Sequence, residues 1–520
     1  MSTPERVVVV GFGPVAARLV EDLLPAVAAG TLALTVLGAE SRAAYNRVLV
    51  AEVAVGRTAA GAIALADADE LRRAGVDVRL GATVRRVDRS RRRVLLDDGA
   101  PVPYDRLVFA TGARPILPTL RGLDFAPHAE PRLPEGVAAL RDLDDADLLR
   151  RVVADGGRAV ILGGGVLGVE AALLVQEHGA QAVLVHHGRH PLPRHVDDDA
   201  GRLLAHRLCA AGVQLVSEAR AVAVQRESDR FAALELADGA LVPGDLLVLS
   251  VGVRARDELA AGCGLATGNG IHVDGRLRAD TEDRVFAIGD CAAVDGARPS
   301  GLIGPGWAQA EWLAAYLTRH RTPPVPAPGP ADTLPAVPPS ASPESVDPLP
   351  AASLPAEPPG AILLKARGLD FTSGGDVSPG LWDTDAGGRR VSIWADPQRG
   401  AYCKMVTEDG ALTGFVALGL PRTAAELVLL YERGRELPAD RTTLFRLEDP
   451  VAAPAAEPGP DEVLCRCSGA THGQVATARE TGCTTVEEVG RACRAGTGCG
   501  GCRDRIEAVL RAAAREPVGV

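Results

Sequence analysis

Two glycine-rich turns, each set between a β-branched apolar run and a helix-forming stretch, constrain this chain more than anything else in it. Arg6-Val-Val-Val-Val10 leads into Gly11-Phe-Gly13-Pro14-Val15-Ala16, and Ala159-Val-Ile-Leu162 leads into Gly163-Gly-Gly165-Val166-Leu167-Gly168-Val-Glu170. Uninterrupted apolar runs of this kind read as parallel strands buried on both faces. Glycines at these spacings let the backbone turn tightly and approach a pyrophosphate at a helix start, where unpaired N–H groups and the helix dipole favour an anion. After the first helix, which runs to about Ala29, a second strand over Thr31–Leu37 leads to Glu40, placed to bond a ribose hydroxyl. The same order recurs from Arg158 to Val185, so the expected fold class is α/β with two Rossmann-like dinucleotide-binding domains.

The second unit differs at the end of its second strand, where Ala182-Val-Leu-Val185 is followed by His186 and His187 rather than a carboxylate. A carboxylate there would bond a ribose 2′-hydroxyl and repel a 2′-phosphate. With Arg189 nearby, a 2′-phosphate can be accommodated; the histidines read equally well as exposed loop residues.

At 520 residues the chain is too long for one core, and two to four domains are expected. A net charge of −11 argues against nucleic acid as a partner, since polyanion binding needs clustered positive charge. Only Lys365 and Lys404 among the 56 basic residues are lysines, a compositional bias, and Arg91-Arg92-Arg93 reads as solvated hairpin surface. No apolar run is long enough to span a bilayer and no charged-then-apolar leader opens the sequence, so a soluble, cytoplasmic protein without membrane contact is expected. Its ten cysteines are then thiols or ligands rather than structural disulfides. Fourteen of the 38 prolines fall in 323–360, a composition that cannot bury enough apolar surface to offset ordering entropy. That segment is expected to be a disordered linker, reaching on the order of 100 Å if extended. A small α+β domain is expected over 361–447, a second linker over 448–461, and a cysteine-bearing domain over 462–520.

In that last domain Cys465-x-Cys467 and Cys499-x-x-Cys502 offer four thiolates, and Gly496, Gly498, Gly500 and Gly501 allow turns that aim backbone N–H groups at sulfur. A [2Fe–2S] cluster and a structural zinc both fit four thiolates, although zinc ribbons usually carry two C-x-x-C knuckles. Cys483 and Cys493 fall outside the pattern. Cys209, Cys263 and Cys291 form no C-x-x-C or C-x4-C pair and read as small buried hydrophobes. A thiolate-rich site behind two nucleotide turns suggests a wire that divides electron pairs into single electrons.

Several segments resemble known families. Tyr104-Asp105-Arg-Leu-Val-Phe-Ala110-Thr111-Gly112-Ala113 resembles the YDxLVxATGA segment of two-dinucleotide flavoprotein reductases, and Thr281-x7-Gly289-Asp290 their second FAD motif. The resemblance implies FAD at the first turn, with Asp290 on the ribityl chain, and NAD(P)H at the second, with NADH against NADPH open. It implies an FAD-binding domain over 1–118 and 244–322 around an NAD(P)-binding domain over 119–243. Disulfide reductases of this architecture carry a redox cysteine pair beside the flavin, and no cysteine precedes Cys209. Gly38-Ala-Glu40-Ser-Arg-Ala-Ala-Tyr45-Asn46-Arg47-Val-Leu resembles the GAEPxxAYNRxLLS segment of assimilatory NAD(P)H nitrite reductase large subunits, and Gly301-Leu-Ile-Gly-Pro305-Gly306-Trp307-x-Gln309-Ala310 their GLVAPGWEQA segment. The terminal domain resembles the bacterioferritin-associated-ferredoxin-like [2Fe–2S] module, including Ala495–Cys502.

The likeness implies that Arg47 meets the flavin's phosphates and that the Pro305–Trp307 segment begins a helix facing the isoalloxazine. The sequence ends at Val520, without the sirohaem and [4Fe–4S] region of the full-length enzymes, and the 323–360 segment interrupts a stretch that is compact in that family. On this reading the layout is similar to electron-transfer subunits of assimilatory nitrate reductases, which implies a nitrate reductase catalytic subunit, or another redox protein, as partner. Ferredoxin, rubredoxin or a separate nitrite reductase are the alternative acceptors, and a redox-sensing binding protein the alternative of another class. The long linker could let the cluster domain dock in turn near flavin and partner, or could be a tolerated insertion.

Overall fold

The computed structural model describes residues 3–123, 133–319, 353–355, 360–364, 368–383, 388–448 and 458–512. The expected linker at 323–360 lies outside these residues except for 353–355 and 360, and most of 448–461 lies outside them too. The chain divides into two units, one formed by 1–45, 64–113 and 255–356, the other by 46–63, 114–254 and 357–520.

The core of the first unit is a five-stranded parallel sheet in the order Val285–Ala287, Arg106–Phe109, Glu5–Val10, Leu32–Gly38, Asp77–Leu80. Its β-branched and aromatic side chains, from Val7–Val10 to Leu107–Phe109, are buried on both faces, as their unbroken apolar run requires. Helices Pro14–Ala28 and Ile303–Thr318 pack in the same core, where Trp312 stacks on Tyr316 with ring centroids 5.1 Å apart. Glu5–Val10 is the switch point: the chain leaves it toward Leu32–Gly38 on one side, and Arg106–Phe109 lines its other side. Ligands of open parallel sheets sit at the carboxyl ends of strands at such a point.

The second unit repeats the design, with parallel strands in the order Gln214–Val216, Gln181–Val185, Arg158–Leu162, Leu246–Leu249, Val137–Ala138. Arg158–Leu162 is the switch strand here. A five-stranded antiparallel sheet follows, in the order Ala361–Leu363, Phe371–Gly375, Ala411–Leu418, Ala401–Glu408, Arg390–Asp396, with helix Pro421–Glu432 contributing to the same hydrophobic core. Helices His472–Glu480, Val486–Cys493 and Arg503–Ala512 close on a small core of their own around Leu464, Val475, Val489 and Ile506. The first two carry capping boxes, Thr471 with Gln474 and Thr485 with Glu488, which satisfy orphan N–H groups in helices of only nine and eight residues. The fold class is therefore α/β, two Rossmann-like units followed by a small α+β part and a small helical part.

Candidate functional site

In the first unit, Gly11 follows the switch strand with φ +104°, and a Cβ there would stand 2.2 Å from the carbonyl oxygen of Ala110. Only glycine fits where two strand ends come this close. Gly13 is the N-cap of helix Pro14–Ala28 and no side chain caps it. Pro14 takes the first helical position, where its missing N–H costs nothing, and Val15 and Ala16 complete a first turn whose N–H groups have no intrahelical acceptor. Glu40 is half-buried beyond Leu32–Gly38, and the buried Tyr45 hydroxyl donates to its Oε2 at 2.8 Å, orienting the carboxylate.

Thr111 and Gly112 follow strand Arg106–Phe109; the Thr111 hydroxyl donates to Arg256 O at 2.7 Å and Arg256 N–H to Gly112 O at 2.9 Å. Gly289 and Asp290 form a short turn after Val285–Ala287, and Gly289 N–H donates to Gln309 Oε1 at 2.7 Å. The helix expected to begin at Pro305 begins at Ile303. Trp307 is buried in it, and its indole N–H donates to Pro14 O at 3.2 Å, bracing the glycine turn. The first unit thus brings together Gly11, Gly13, Glu40, Ala110–Gly112, Gly289–Asp290 and Pro305–Trp307. Arg47 belongs to the 46–63 segment of the second unit, where its Nη1 donates to Arg141 O at 3.4 Å.

Gly163 reproduces Gly11, with φ +124° and a hypothetical Cβ 2.2 Å from Ser250 O. Gly165 is the N-cap of helix Val166–Glu177, again without a side-chain cap, and a Cβ on Gly168 would meet Gly163 O at 2.0 Å. Val166 is half-buried, Leu167 is exposed, and Glu170 is buried. His186 departs from the expectation of an exposed loop residue. It is buried, with Nε2 3.1 Å from Ser217 Oγ, and burial followed by repulsion from His187 and His190 pulls it below the usual histidine range. A buried imidazole held below the usual histidine range is no phosphate clamp, which leaves the exposed Arg189 as a cation near this strand end.

The four candidate ligand cysteines converge on the helical domain's core. Cys465 and Cys502 are buried, Cys467 and Cys499 half-buried. They stand as two touching pairs that cross the two motifs. Cys465 is pulled down to about 5 chiefly by a hydrogen bond from Cys502, whose own thiol the same contact and burial push up. Cys467 is pushed up by its contact with Cys499 and by burial, and the Cys499 N–H points at Cys467 Sγ, 3.5 Å away. Among the described residues no three His, Cys, Asp or Glu side chains close around a single point. Four thiols gathered in one small core can supply the four thiolates of a [2Fe–2S] cluster, two to each iron. Cys483 and Cys493 remain half-buried outside the pairs. Of the three cysteines expected to be buried hydrophobes, Cys291 is buried and Cys263 half-buried. Cys209 is exposed, because it falls on the outer face of helix Asp198–Ala210.

Residues 5–311 match the family described as pyridine nucleotide-disulphide oxidoreductase, well over half of the chain. The chain belongs to that family. Residues 463–512 match the BFD-like [2Fe–2S] binding domain. The cofactors are accordingly FAD, NAD(P)H and a [2Fe–2S] cluster. The chain is similar to "Nitrite reductase [NAD(P)H]" of Bacillus subtilis (strain 168), at 27% identity over 98% of this chain and 57% of that one. It is equally similar to "Assimilatory nitrate reductase electron transfer subunit" of the same organism, at 27% identity over 98% and 59%. It thus spans under two thirds of the length of either relative, so length does not choose between them. Among solved structures, the putidaredoxin reductase–putidaredoxin complex superimposes with a TM-score of 0.68 at 19% identity, over 86% of this chain and 98% of that one. That likeness carries the fold.

Gln309, Ser250 and Asn46 are site residues that sequence reasoning left without a role. The signal for two of them was present, since Gln309 and Asn46 lie inside the segments quoted above. Asn46 is buried and donates through Nδ2 to Thr497 O and to Gly498 O, at 2.6 Å each.

Proposed function

We propose that this chain is an NAD(P)H-dependent FAD/[2Fe–2S] oxidoreductase that passes electrons to a protein partner, a nitrate reductase catalytic subunit. The observation that carries the reading is the gathering of Cys465, Cys467, Cys499 and Cys502 in one small helical core, in the same chain as the Gly11 and Gly163 turns. When bound, the flavin takes an electron pair from the nicotinamide and the cluster takes electrons singly. The residues do the holding. The turn from Gly11 to Ala16 presents N–H groups to the FAD pyrophosphate, and Glu40, fixed by Tyr45, accepts from a ribose hydroxyl. Asp290 is assigned to the ribityl chain and Arg47 to a phosphate; Ala110, Thr111 and Gly112 set the floor of the site. Gly163, Gly165, Val166, Leu167 and Gly168 cradle the nicotinamide nucleotide's pyrophosphate, with Glu170 buried in the helix behind them. No side-chain acid or base is required.

The name of the electron transfer subunit relative supports nitrate reductase as acceptor. Reconstitution tests it. Purified protein with NADH, an assimilatory nitrate reductase catalytic subunit and nitrate should sustain NADH oxidation well above the rate with ferredoxin or rubredoxin. Preference for either small carrier would move the assignment to a carrier reductase, and flavin reduction without turnover toward any acceptor would favour a sensor.

A further inference from the structure

Asn46 spends every polar group it has. Its backbone N–H donates to Ile63 O at 2.8 Å, its Oδ1 accepts from Val48 N–H at 2.9 Å, and both Nδ2 hydrogens go to the carbonyls of Thr497 and Gly498. The side chain is 1% exposed, so no water competes for these bonds. Leu49, three residues on, packs the same loop from below: a Cβ on Gly500 would stand 3.1 Å from Leu49 Cδ2. The 46–49 segment therefore grips 497–500, the loop that presents Cys499.

The Gly498 carbonyl and the Cys499 N–H belong to one planar trans peptide and point to opposite sides of the chain. Asn46 holds the carbonyl, and the N–H on the far side points at Cys467 Sγ, 3.5 Å away. N–H groups aimed at a ligand sulfur stabilise the more negative, reduced form of an iron–sulfur cluster and raise its potential. We propose that Asn46 is a positioning residue for the cluster: by clamping the Thr497 and Gly498 carbonyls it aims the Cys499 N–H at Cys467 sulfur and sets the cluster's reduction potential. The proposal rests on the [2Fe–2S] reading of the four cysteines and reaches beyond it to a side chain more than 400 residues away in sequence.

Asn46→Asp is the informative variant, because a carboxylate still caps the Arg47–Leu49 turn through the Val48 N–H. It cannot donate, and it sets negative oxygens against two carbonyls. EPR-monitored redox titration should show the cluster midpoint shifted negative, with the reduced-to-oxidised ratio at a fixed ambient potential lowered about tenfold, equivalent to ~59 mV for a one-electron couple. The flavin midpoint in the same titration is the internal reference. The Cys499 amide should exchange with solvent faster. Asn46→Gln, which keeps both donors one methylene farther out, should return the midpoint toward the wild-type value. An unshifted cluster midpoint in Asn46→Asp, or equal shifts in the Asp and Gln variants, overturns the proposal and leaves the cluster reading standing. Absence of any [2Fe–2S] signal in chemically reduced wild-type protein overturns both.

Discussion

At the residue scale, Gly11 and Gly163 were legible in the sequence because their role is set by the backbone alone. Each follows a strand, turns at positive φ, and lies where a Cβ would collide with the carbonyl of a neighbouring strand end. Asn46, Gln309 and Ser250 were not legible as contacts, because their partners lie far along the chain and no local period announces them. Gly163→Ala should abolish flavin reduction by NADH while leaving bound FAD and its chemical reduction unchanged, as read by absorption. The left-handed backbone alone adds about 1–2 kcal/mol of strain, and the carbonyl clash moves the turn that receives the pyrophosphate. Retained NADH reduction would remove the second turn from the nucleotide site. Thiol chemistry gives a second check at this scale. Burial pushes Cys403 up to about 12 and also raises Cys291, so neither offers thiolate at neutral pH, whereas Cys209 is exposed. Brief alkylation followed by peptide mass spectrometry should label Cys209 and spare Cys291 and Cys403.

At the scale of elements, the strands and helices of both nucleotide units follow from apolar runs and glycine punctuation, whereas the bonds between elements do not. Asp197 caps helix Asp198–Ala210 through Ala200 N–H and also accepts from Tyr402 Oη at 2.6 Å and from Lys404 Nζ at 2.9 Å, tying that helix to strand Ala401–Glu408. Burial opposes its charge, but the bonds from Tyr402 and Lys404 outweigh burial and hold the carboxyl below the usual range. Asp197→Ala leaves the buried Lys404 ammonium without this partner and should cost about 3–5 kcal/mol of stability, whereas Lys404→Met, which removes the charge, should cost clearly less; denaturant unfolding compares the two. In helix Pro14–Ala28, Asp22 runs the other way. Burial raises it to about 6 despite Arg18 at 3.1 Å. Its folded value lies above its unfolded one, so the folded state binds the extra proton and stability falls as pH rises from about 4 to about 6. Asp22→Asn should flatten that part of the melting-temperature profile, and an unchanged slope would contradict the assignment.

At the scale of the whole molecule, composition and spacing were enough to expect two nucleotide units and a cysteine module. What they could not supply is the pairing of thiols across the C-x-C and C-x-x-C motifs, or the grip of the 46–49 segment on the cysteine loop, since both join segments distant in sequence. The matches to the two domain families fix the family and the cofactors, while the terminal acceptor rests on a name borne by a longer protein. The central claim, a path from nicotinamide through flavin to cluster within one chain, is tested most directly by anaerobic titration of the purified protein with NADH, followed by visible absorption and EPR together. Bleaching of the flavin with the appearance of a reduced [2Fe–2S] signal is the result expected. Bleaching without that signal, in protein found to hold zinc or no metal, would contradict it.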